Sequence, residues 1–377
     1  MANIYDIDYS ASNKDFVGKE VEDIDQLFEV NELSESNYAY IIDSQDYNIP
    51  AVTYDLLNNE VFTSASFKPF TIQTSTGTKS FNYGSLIIPL SVQKKLNSDE
   101  LYEKMKSIQK KYDVNIYSVE SGLSSSGVDL GSGYVMPLNK PSAMMLIGTG
   151  VRSYEAGEVW HLLDQRVGMP ITKVPMRNFD NISMDKYNVL VLVSGNYKFS
   201  DSQIEKIKTW AENGNTIISI GSGSKLLIDK KIVKENLLEK EESNAMNYLA
   251  YGDARENRGK EQIGGVILNS IIDLSHPLAF GYENNTLPLY KNNSIWLKPS
   301  KNNYSSVVRY SDNSLIDGFL SENNKEKIKE SVSLVVSRVG RGIAVMFADN
   351  PNFRGAWYGT NRLFLNAIFL GDKIYIP

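Results

Sequence analysis

Hydrophobic and polar positions follow two periods along this chain, and residues 142–175 show both of them. The apolar run Ala143–Ile147 has the form of a buried strand and ends at a glycine turn, 148–150. From Ala156 the apolar residues recur every three or four positions, which is the spacing of a helix with one buried face. A second apolar strand, Ile171–Val174, follows. The stretch predicts a strand–turn–helix–strand unit of the kind that opens a doubly wound α/β domain.

The same order of elements is predicted twice. In the first half, the pattern indicates helices beginning at Pro50 and spanning 99–112, a polar excursion at 71–79, and strands at Tyr38–Ile42, Val61–Ala65, Ser85–Ile88 and Val114–Tyr117. In the second half, it indicates helices from Ala156 and after Ser200, and strands at Ala143–Ile147, Ile171–Val174, Val189–Val193 and Thr216–Ile220. Strands that alternate with helices favour parallel sheets, so the sequence predicts two doubly wound α/β units.

Residues 225–330 interrupt this pattern. They contain a charged stretch of helical character, Lys230–Ser243, and four asparagine pairs, which favour turns and exposed loops. Regular elements resume with a hairpin of two strands, Ser333–Arg338 and Ile343–Ala348, and a last helix that has Thr360 as its N-cap. The expected organisation is a lead-in segment at 1–35, a first α/β unit at 36–140, and a second unit at 141–377 with an irregular insertion at 225–330.

Composition and charge exclude several classes of protein. A net charge of -6 gives no basic surface for nucleic acid. No apolar run approaches the roughly 20 residues that span a bilayer, and the first residues lack the basic start and apolar core of a signal peptide. Cysteine is absent, and the only histidines, His161 and His276, lie far apart in the sequence. We therefore expect no metal, no cofactor, no nucleic acid and no membrane partner.

The glycine turn at 148–153 resembles the G-x-G-x-x-G fingerprint of dinucleotide-binding proteins, with serine in the third place. That fingerprint also requires an acidic residue at the end of the second strand, which holds a ribose hydroxyl. Val174 and Pro175 occupy that position here. The sequence therefore does not favour dinucleotide binding.

A ligand crevice is expected at the carboxyl ends of the predicted strands of the second unit, because parallel strands bring those ends to one edge of a sheet. The loops after Ile147, Ile220 and Ala348 converge there if the prediction is correct. The candidate site residues on these loops are Arg152, Glu155, Ser222, Arg354 and Trp357. Arginine and tryptophan often dominate recognition, so this crevice is expected to receive an acidic or peptide-like group.

Two interpretations stay open for the polar residues of this region. Glu155 and Glu158 lie one turn apart at the start of a helix, where a favourable contact with the helix dipole also explains them. Ser222 and Ser224 follow an apolar strand, where a nucleophile is placed in some hydrolases, with His276 as a possible base and Glu155 as its orienting acid. A plain glycine turn explains the two serines equally well.

Three segments in this order resemble the long C-terminal region of large bacterial zinc carboxypeptidase-like proteins of the carboxypeptidase A type. They are SYEAGEVWHLLDQRVGMPIT (153–172), HPLAFGY (276–282) and FADNPNFRGAWYGTNRLFLNAIFLG (347–371). The segments YAYIIDSQDYNIPAVTYDLL (38–57) and SGVDLGSG (126–133) fit the same region. The resemblance implies flavodoxin-like units similar to class I glutamine amidotransferase domains, which follow a peptidase domain in proteins that are often exported to the periplasm or beyond and are otherwise cytoplasmic.

Two departures limit what the resemblance implies. The His-x-x-Glu pair that begins the family's zinc site is missing, and active amidotransferase-like domains depend on a cysteine, which this chain lacks. No catalytic residue of either family can therefore be assigned. The resulting hypothesis is a non-catalytic accessory region that docks a peptidase domain, a peptide or a small ligand. The alternative is a serine-dependent hydrolase or amidotransferase-like enzyme.

Overall fold

The structure is a computed structural model that describes residues 2–7, 30–238 and 250–377. Most of the predicted lead-in segment lies outside these residues. A short helix, α1 (Ala2–Tyr5), lies in the lead-in segment and contacts the second unit. The elements of the first unit are β1 (Ala39–Ile42), α2 (Ile49–Asn58), β2 (Ser64–Ser66), β3 (Phe70–Thr74), β4 (Gly77–Phe81), β5 (Leu86–Pro89), α3 (Ser98–Tyr112), β6 (Ile116–Val119), β7 (Ser126–Gly127) and β8 (Val135–Pro137). The helix predicted at 99–112 is confirmed, and it begins at a capping box formed by Asn97 and Glu100.

The strands of the first unit are antiparallel, which differs from the predicted parallel arrangement. In the described part of the chain the main sheet has the order β6-β1-β5-β2-β8, and each neighbouring pair is antiparallel. The order of elements along the chain fits a split β-α-β arrangement as well as a doubly wound one. Local periodicity does not specify which distant strands pair, and for that reason the direction of the strands was predicted incorrectly.

Both faces of this sheet are covered. Helices α2 and α3 pack on one face through residues such as Leu56, Leu101 and Met105. On the other face lies a small sheet of order β4-β3-β7, whose Phe70, Ile72 and Phe81 pack against Ile41 and Ile87. The polar excursion predicted at 71–79 is thus a hairpin. It appears polar in sequence because only alternate residues of β3 face the core.

The second unit contains the remaining elements. These are β9 (Ala143–Ile147), α4 (Ser153–Trp160), β10 (Thr172–Pro175), β11 (Val189–Leu192), α5 (Asp201–Glu212), β12 (Thr216–Ile220), α6 (Ser222–Asp229), α7 (Ala254–Lys260), β13 (Val266–Ile272), β14 (Thr286–Lys291), β15 (Ser306–Gly318), α8 (Glu322–Lys329), β16 (Val332–Val339), β17 (Gly342–Phe347) and α9 (Tyr358–Leu370). Helix α4 continues as a π-helical segment, His161–Val167. In the described residues no helix has both the length and the apolar character that crossing a membrane requires.

The central sheet of the second unit confirms the predicted α/β fold class. In the described part of the chain its order is β10-β9-β11-β12-β17-β16-β15-β13-β14. The first five of these strands are parallel, and in chain order they read 2-1-3-4-5, which is the flavodoxin-like order. Helices α4 and α9 cover one face, while α5 and α6 cover the other. This half of the molecule is therefore doubly wound, as predicted.

The segment at 225–330 is more regular than predicted. Strands β13, β14 and β15 extend the same sheet in antiparallel fashion beyond the hairpin of β16 and β17. Three of the asparagine pairs lie in turns beside these strands, and the fourth lies in α8. The strands are hard to recognise in the sequence because β14 contains Pro288 and β15 has many exposed residues at its far end.

Three local predictions also need correction. Residues 230–238 of the stretch predicted to be helical are not helical, and 239–243 lie outside the described residues. The last helix begins at Tyr358, with Trp357 at the N-cap position. Thr360 therefore lies inside the helix, where its hydroxyl donates to the Pro351 carbonyl. Trp160 lies on the face that the spacing from Ala156 predicts to be buried, but it is only partly buried, and its Nε1 donates to Asp164 at 3.0 Å at the edge of the core.

The two units share one continuous core, and Phe280 of the second unit is central to it. Its ring lies 5.2 Å from the ring of Phe67 and 5.4 Å from that of Tyr83, both in the first unit. A side chain at Gly84, whose φ is +85°, would place its Cβ 2.7 Å from Cβ of Phe280. Glycine is therefore required at position 84 for the units to approach this closely.

Candidate functional site

The loops at the carboxyl ends of β9, β11, β12 and β17 meet at one edge of the sheet. The Arg152 amide, after β9, donates to the Ser194 carbonyl, after β11, at 2.9 Å. The Gly195 amide donates to Oγ of Ser222, after β12, at 2.8 Å. The Gly221 amide donates to the Phe347 carbonyl at the end of β17, also at 2.8 Å. The structure thus brings together the loops that carry Arg152, Glu155 and Ser222.

Glu155 links two of these loops. Its Oε2 accepts a hydrogen bond from the Ser194 amide at 2.8 Å. Its Oε1 lies 3.6 Å from Nη1 of Arg152, whose side chain is 67% exposed while that of Glu155 is 13% exposed. The Glu155 carboxylate therefore already accepts a hydrogen bond from the backbone of a neighbouring loop. Arg152 lies at the exposed rim of the crevice.

Glu158 has the same role one turn further along α4. Its Oε1 accepts from the Arg354 amide and its Oε2 from Nδ2 of Asn350, each at 2.6 Å. Burial raises the pKa of Glu158, while these two hydrogen bonds oppose that shift. Arg354 enters the site through its backbone, which has a φ of 55°, whereas its guanidinium is exposed above the Phe353 ring.

Trp357 does not line the crevice. It is buried, and its Nε1 donates to the Pro288 carbonyl of β14 at 3.3 Å. Its ring lies 5.7 Å from the ring of Tyr290. The position of Trp357 in the loop before α9 predicts a ligand contact, but the residue is the N-cap of α9 and its ring is buried.

Asp349, directly after β17, is a further polar residue at this edge that the sequence analysis missed. Its carboxylate accepts from Nζ of Lys291 at 3.0 Å, from the Tyr310 hydroxyl at 2.5 Å and from the Ser333 hydroxyl at 2.7 Å. All four side chains are buried, and burial lowers the pKa of Lys291 while the nearby carboxylate raises it. The group joins the antiparallel strands to the parallel part of the sheet.

The turn between β12 and α6 has the geometry in which a nucleophile would be placed, but its residue is glycine. Gly221 has φ 55° and ψ -119°, and a Cβ at this position would lie 2.3 Å from Oγ of Ser194. In a nucleophile elbow the reactive side chain occupies such a strained turn between strand and helix. Here that position has no side chain, and Ser194 closes the space in which one would lie.

The two serines that follow are engaged with the backbone. The Ser222 hydroxyl accepts from the Gly195 amide and donates to the Gly195 carbonyl at 3.1 Å. Ser224 is fully buried and donates to the Phe347 carbonyl at 2.8 Å. Neither hydroxyl meets an imidazole nitrogen in the described part of the chain.

His276 is a structural residue in this geometry. Its Nδ1 accepts a hydrogen bond from the Leu278 amide at 3.2 Å and so caps a short 3-10 helix, Pro277–Ala279. Burial lowers the pKa of His276 to about 4, against a smaller opposing effect of Asp273. The triad considered from the sequence is therefore not assembled. In the described residues, His, Asp and Glu side chains form no group of three or more that could hold a metal ion.

A cavity between the two units was missed by the sequence analysis. Its volume is about 230 Å³, and it is lined by Tyr47, Asn48, Pro50, Ala51, Leu162, Arg166, Val167, Tyr358 and Leu365. We call it the junction cavity. The sequence signal was the position of Arg166, which lies three and four residues from the buried Leu163 and Leu162 and so falls on the inward face of its helix.

No family model and no curated protein matches the sequence. Among solved structures, the chain is similar to a protein described as ThuA-like from Parabacteroides merdae, with 14% identity, a TM-score of 0.42, and coverage of 62% of this chain and 90% of that one. It is also similar to a protein described as a GMP synthase subunit from Thermoplasma acidophilum (11% identity, TM-score 0.38, coverage 60% and 92%). A third similar structure is a glutamine amidotransferase from Thermotoga maritima (10% identity, TM-score 0.33, coverage 56% and 76%). These likenesses concern the fold alone.

Proposed function

We propose that this chain is a non-catalytic binding region that serves as the accessory region of a zinc carboxypeptidase-like protein. It would dock the peptidase domain, a peptide or a small ligand. The observation that carries the non-catalytic part is glycine at position 221, where the sharp turn after β12 would present a nucleophile. Because the Ser194 hydroxyl fills the space beside Gly221, this turn supports packing and not chemistry.

The other polar groups of the crevice support the same proposal. Glu155 and Glu158 accept backbone amides from neighbouring loops. Ser222 bonds both polar groups of the Gly195 backbone. A general base must reach the proton it removes, and a nucleophile must be free to attack. Groups held in this way stabilise loops, so we assign the crevice a structural role and assign binding to the surfaces beside it.

The non-catalytic part can be tested by reaction with a fluorophosphonate probe, which modifies activated serines. The full chain would be incubated with the probe beside Ser222→Ala and Ser224→Ala variants, with a serine protease as the positive control. We expect mass spectrometry to show no modification of the chain at either serine. Modification of Ser222 or Ser224 that the matching alanine variant abolishes would instead establish the serine-hydrolase alternative.

The accessory part can be tested by association. The full chain would be mixed with a purified bacterial carboxypeptidase A-type domain, and complex formation would be followed by analytical ultracentrifugation. We expect a complex with the peptidase domain that an unrelated zinc hydrolase of similar size does not form. Absence of any complex would remove the peptidase domain from the proposal and leave a peptide or a small ligand as the partner.

A further inference from the structure

The junction cavity lies where three elements from the two units meet. Tyr47 directly precedes the N-cap of α2 and Ala51 lies in its first turn, while Arg166 comes from the end of the helix that begins as α4. Tyr358, from the first turn of α9, completes the wall. The cavity exists only while the units are packed together, because no single element encloses it.

Arg166 lines this cavity without a carboxylate partner in the described part of the chain. Its guanidinium lies 3.9 Å from the centroid of the Tyr358 ring and 5.5 Å from that of Tyr47. With the Asn361 amide oriented so that its nitrogen meets the Asn352 oxygen, Nη1 of Arg166 also donates to the Asn361 oxygen at 2.9 Å. Burial lowers the pKa of Arg166, and the causes that oppose this shift are tyrosines and no acidic residue.

A fully buried arginine is rarely left without a carboxylate, because burying a charge is costly unless it is paired and hydrogen-bonded. Arg166 is half-buried, so it bears part of that cost. Cation–π contact with two tyrosines and one amide hydrogen bond offset part of that cost. A guanidinium carries five N–H donors arranged to hold a carboxylate through two parallel hydrogen bonds. The arrangement therefore suits an anionic ligand group at Arg166.

The remaining lining residues of the junction cavity indicate what kind of group would lie beside the anionic group of the ligand. Arg166 is the only charged side chain among the nine lining residues, and Pro50, Ala51, Leu162, Val167 and Leu365 give an apolar floor. A cavity of about 150 Å³ holds one benzene ring, so about 230 Å³ accommodates a single ring with a carboxylate. A phosphate dianion would keep an uncompensated charge beside one guanidinium.

A larger neighbouring cavity does not have this character. It has a volume of about 610 Å³ and shares Tyr47 and Tyr358 with the junction cavity. Its lining includes Asp6 and Glu283 in addition to Arg362, so its charges are mixed. Of these two cavities, the junction cavity is the one that combines a single positive charge with an apolar floor.

We propose that the junction cavity binds a small monocarboxylate with an apolar body, with its carboxylate on Arg166 and its apolar part between the floor and the two tyrosine rings. This inference rests on the proposed binding role and names its ligand class. It does not depend on the serine-labelling result or on association with a peptidase domain, so failure of either leaves it separately testable.

The experiment measures carboxylate preference by ligand-detected NMR and calorimetry on the full chain. The probes are phenylacetate, its neutral analogue phenylacetamide, 4-methylpentanoate and inorganic phosphate. We expect phenylacetate to bind the wild-type chain about tenfold to a hundredfold more tightly than phenylacetamide, because a hydrogen bond to a charged group contributes that much. Arg166→Gln should reduce this ratio to about one, since the amide cannot supply the positive charge.

Two further variants make the test specific. Arg177→Gln removes an exposed arginine that is not among the lining residues of the junction cavity, and it should keep the wild-type ratio. Arg166→Lys keeps the charge without the paired geometry, so it should still prefer the carboxylate but bind it more weakly. Thermal unfolding followed by circular dichroism checks that each variant is folded. If Arg166→Gln does not fold, the comparison is made with Arg166→Lys.

Several results would overturn the inference. One is equal binding of phenylacetate and phenylacetamide by the wild-type chain. A second is binding of phenylacetate by folded Arg166→Gln, or loss of preference in folded Arg166→Lys, since either would separate the ligand from this guanidinium. Failure of both carboxylates to bind at millimolar concentration, or binding of phosphate alone, would also reject the proposed ligand class.

Discussion

Two regions of the molecule contain arginine side chains in different surroundings. One is the crevice at the carboxyl ends of the parallel strands, where arginine lies beside glutamate, and the other is the junction cavity between the units, where it lies beside tyrosine. In the crevice, Glu155, Glu158 and Ser222 bind backbone groups of neighbouring loops. In the junction cavity, Arg166 packs on tyrosine rings and meets no carboxylate among the described residues. One set of polar groups is satisfied within the chain, and the other offers unused donors.

This difference bears on how a binding site is recognised. Polar residues at the edge of an α/β sheet are expected to bind ligands because the fold leaves a crevice there. In this protein the polar side chains of the crevice form hydrogen bonds with backbone groups of neighbouring loops, because buried polar groups without partners are costly. A charged group beside an apolar cavity that meets aromatic rings and an amide, but no carboxylate among the described residues, is the stronger indication of a ligand. Three substitutions can separate the two regions.

The largest effect is expected from Phe280→Ala, which should break the junction. The Phe280 ring is 2% exposed and packs between Phe67 and Tyr83 of the other unit. Removing a buried phenylalanine ring should lower the free energy of unfolding by about 3–5 kcal/mol. Urea denaturation measures this loss, and the variant should also lose the carboxylate preference of the junction cavity.

The control for this prediction is Phe319→Ala, at a phenylalanine that is 64% exposed. It should leave both the denaturation midpoint and ligand binding unchanged. If Phe280→Ala were as stable as the wild-type chain, the two units would not be held together by this contact. If it were destabilised yet bound phenylacetate normally, the cavity would not depend on the junction.

The sequence predicted the parallel strands of the second unit and the helix at 99–112 well, but it did not predict how the strands of the first unit pair. Strands β9 and β12 have the predicted bounds, Ala143–Ile147 and Thr216–Ile220, because strands buried on both faces are rich in apolar residues along their whole length. The antiparallel pairing of β1 with β5 and β6 depends on contacts between distant residues, which local periodicity does not encode. Strands β14 and β15 were missed for a local reason, since β14 contains Pro288 and β15 has many exposed residues at its far end.

The candidate site shows the same limit. The spacing of Glu155 and Glu158 at the start of α4 is visible in the sequence, but their partners are 39 and 196 residues away. Without those partners, a glutamate that holds a loop cannot be distinguished from one that binds a ligand. The inward position of Arg166 was visible as well, whereas the absence of a nearby carboxylate is a property of the folded chain.

The second prediction concerns the loss of stability at acidic pH that His276 is expected to cause. The folded chain holds the pKa of His276 at about 4, below its ordinary value of 6.5, because the ring is buried. Between these pH values the unfolded chain binds a proton at His276 more readily than the folded chain does. The contribution of His276 to the free energy of unfolding is therefore complete above pH 6.5 and is lost as the pH falls towards about 4. Each pKa unit corresponds to about 1.4 kcal/mol, which gives a loss of roughly 3 kcal/mol.

His276→Asn tests this, because asparagine can accept the Leu278 amide bond as an N-cap but does not titrate. Urea midpoints at neutral pH and near pH 4 should show a smaller acid loss for this variant than for the wild-type chain. His161→Asn, at the exposed histidine, should behave like the wild-type chain. An acid loss of equal size in all three proteins would exclude His276 as the source.

The smallest effect is expected from Glu158→Gln, which should loosen the crevice and leave the junction cavity intact. Glutamine can still accept the Arg354 amide through its oxygen, but its nitrogen then faces Nδ2 of Asn350. Two donors that face each other leave a hydrogen bond unmade, which costs about 1–3 kcal/mol when the groups are buried. Hydrogen exchange at the Arg354 amide should also become faster, since its acceptor loses its charge.

Glu205→Gln provides the matched control, because Glu205 is exposed on α5 and the same change should have no effect there. The decisive comparison is between stability and ligand binding in the Glu158 variant. Lower stability with an unchanged preference for phenylacetate would separate a crevice that holds loops from a cavity that holds a ligand. If Glu158→Gln instead changed carboxylate binding while the fold stayed intact, the loop at 350–354 would transmit to the junction through α9, whose first turn carries Tyr358. The two regions would then be one site, and the distinction between satisfied and unsatisfied polar groups would not locate it.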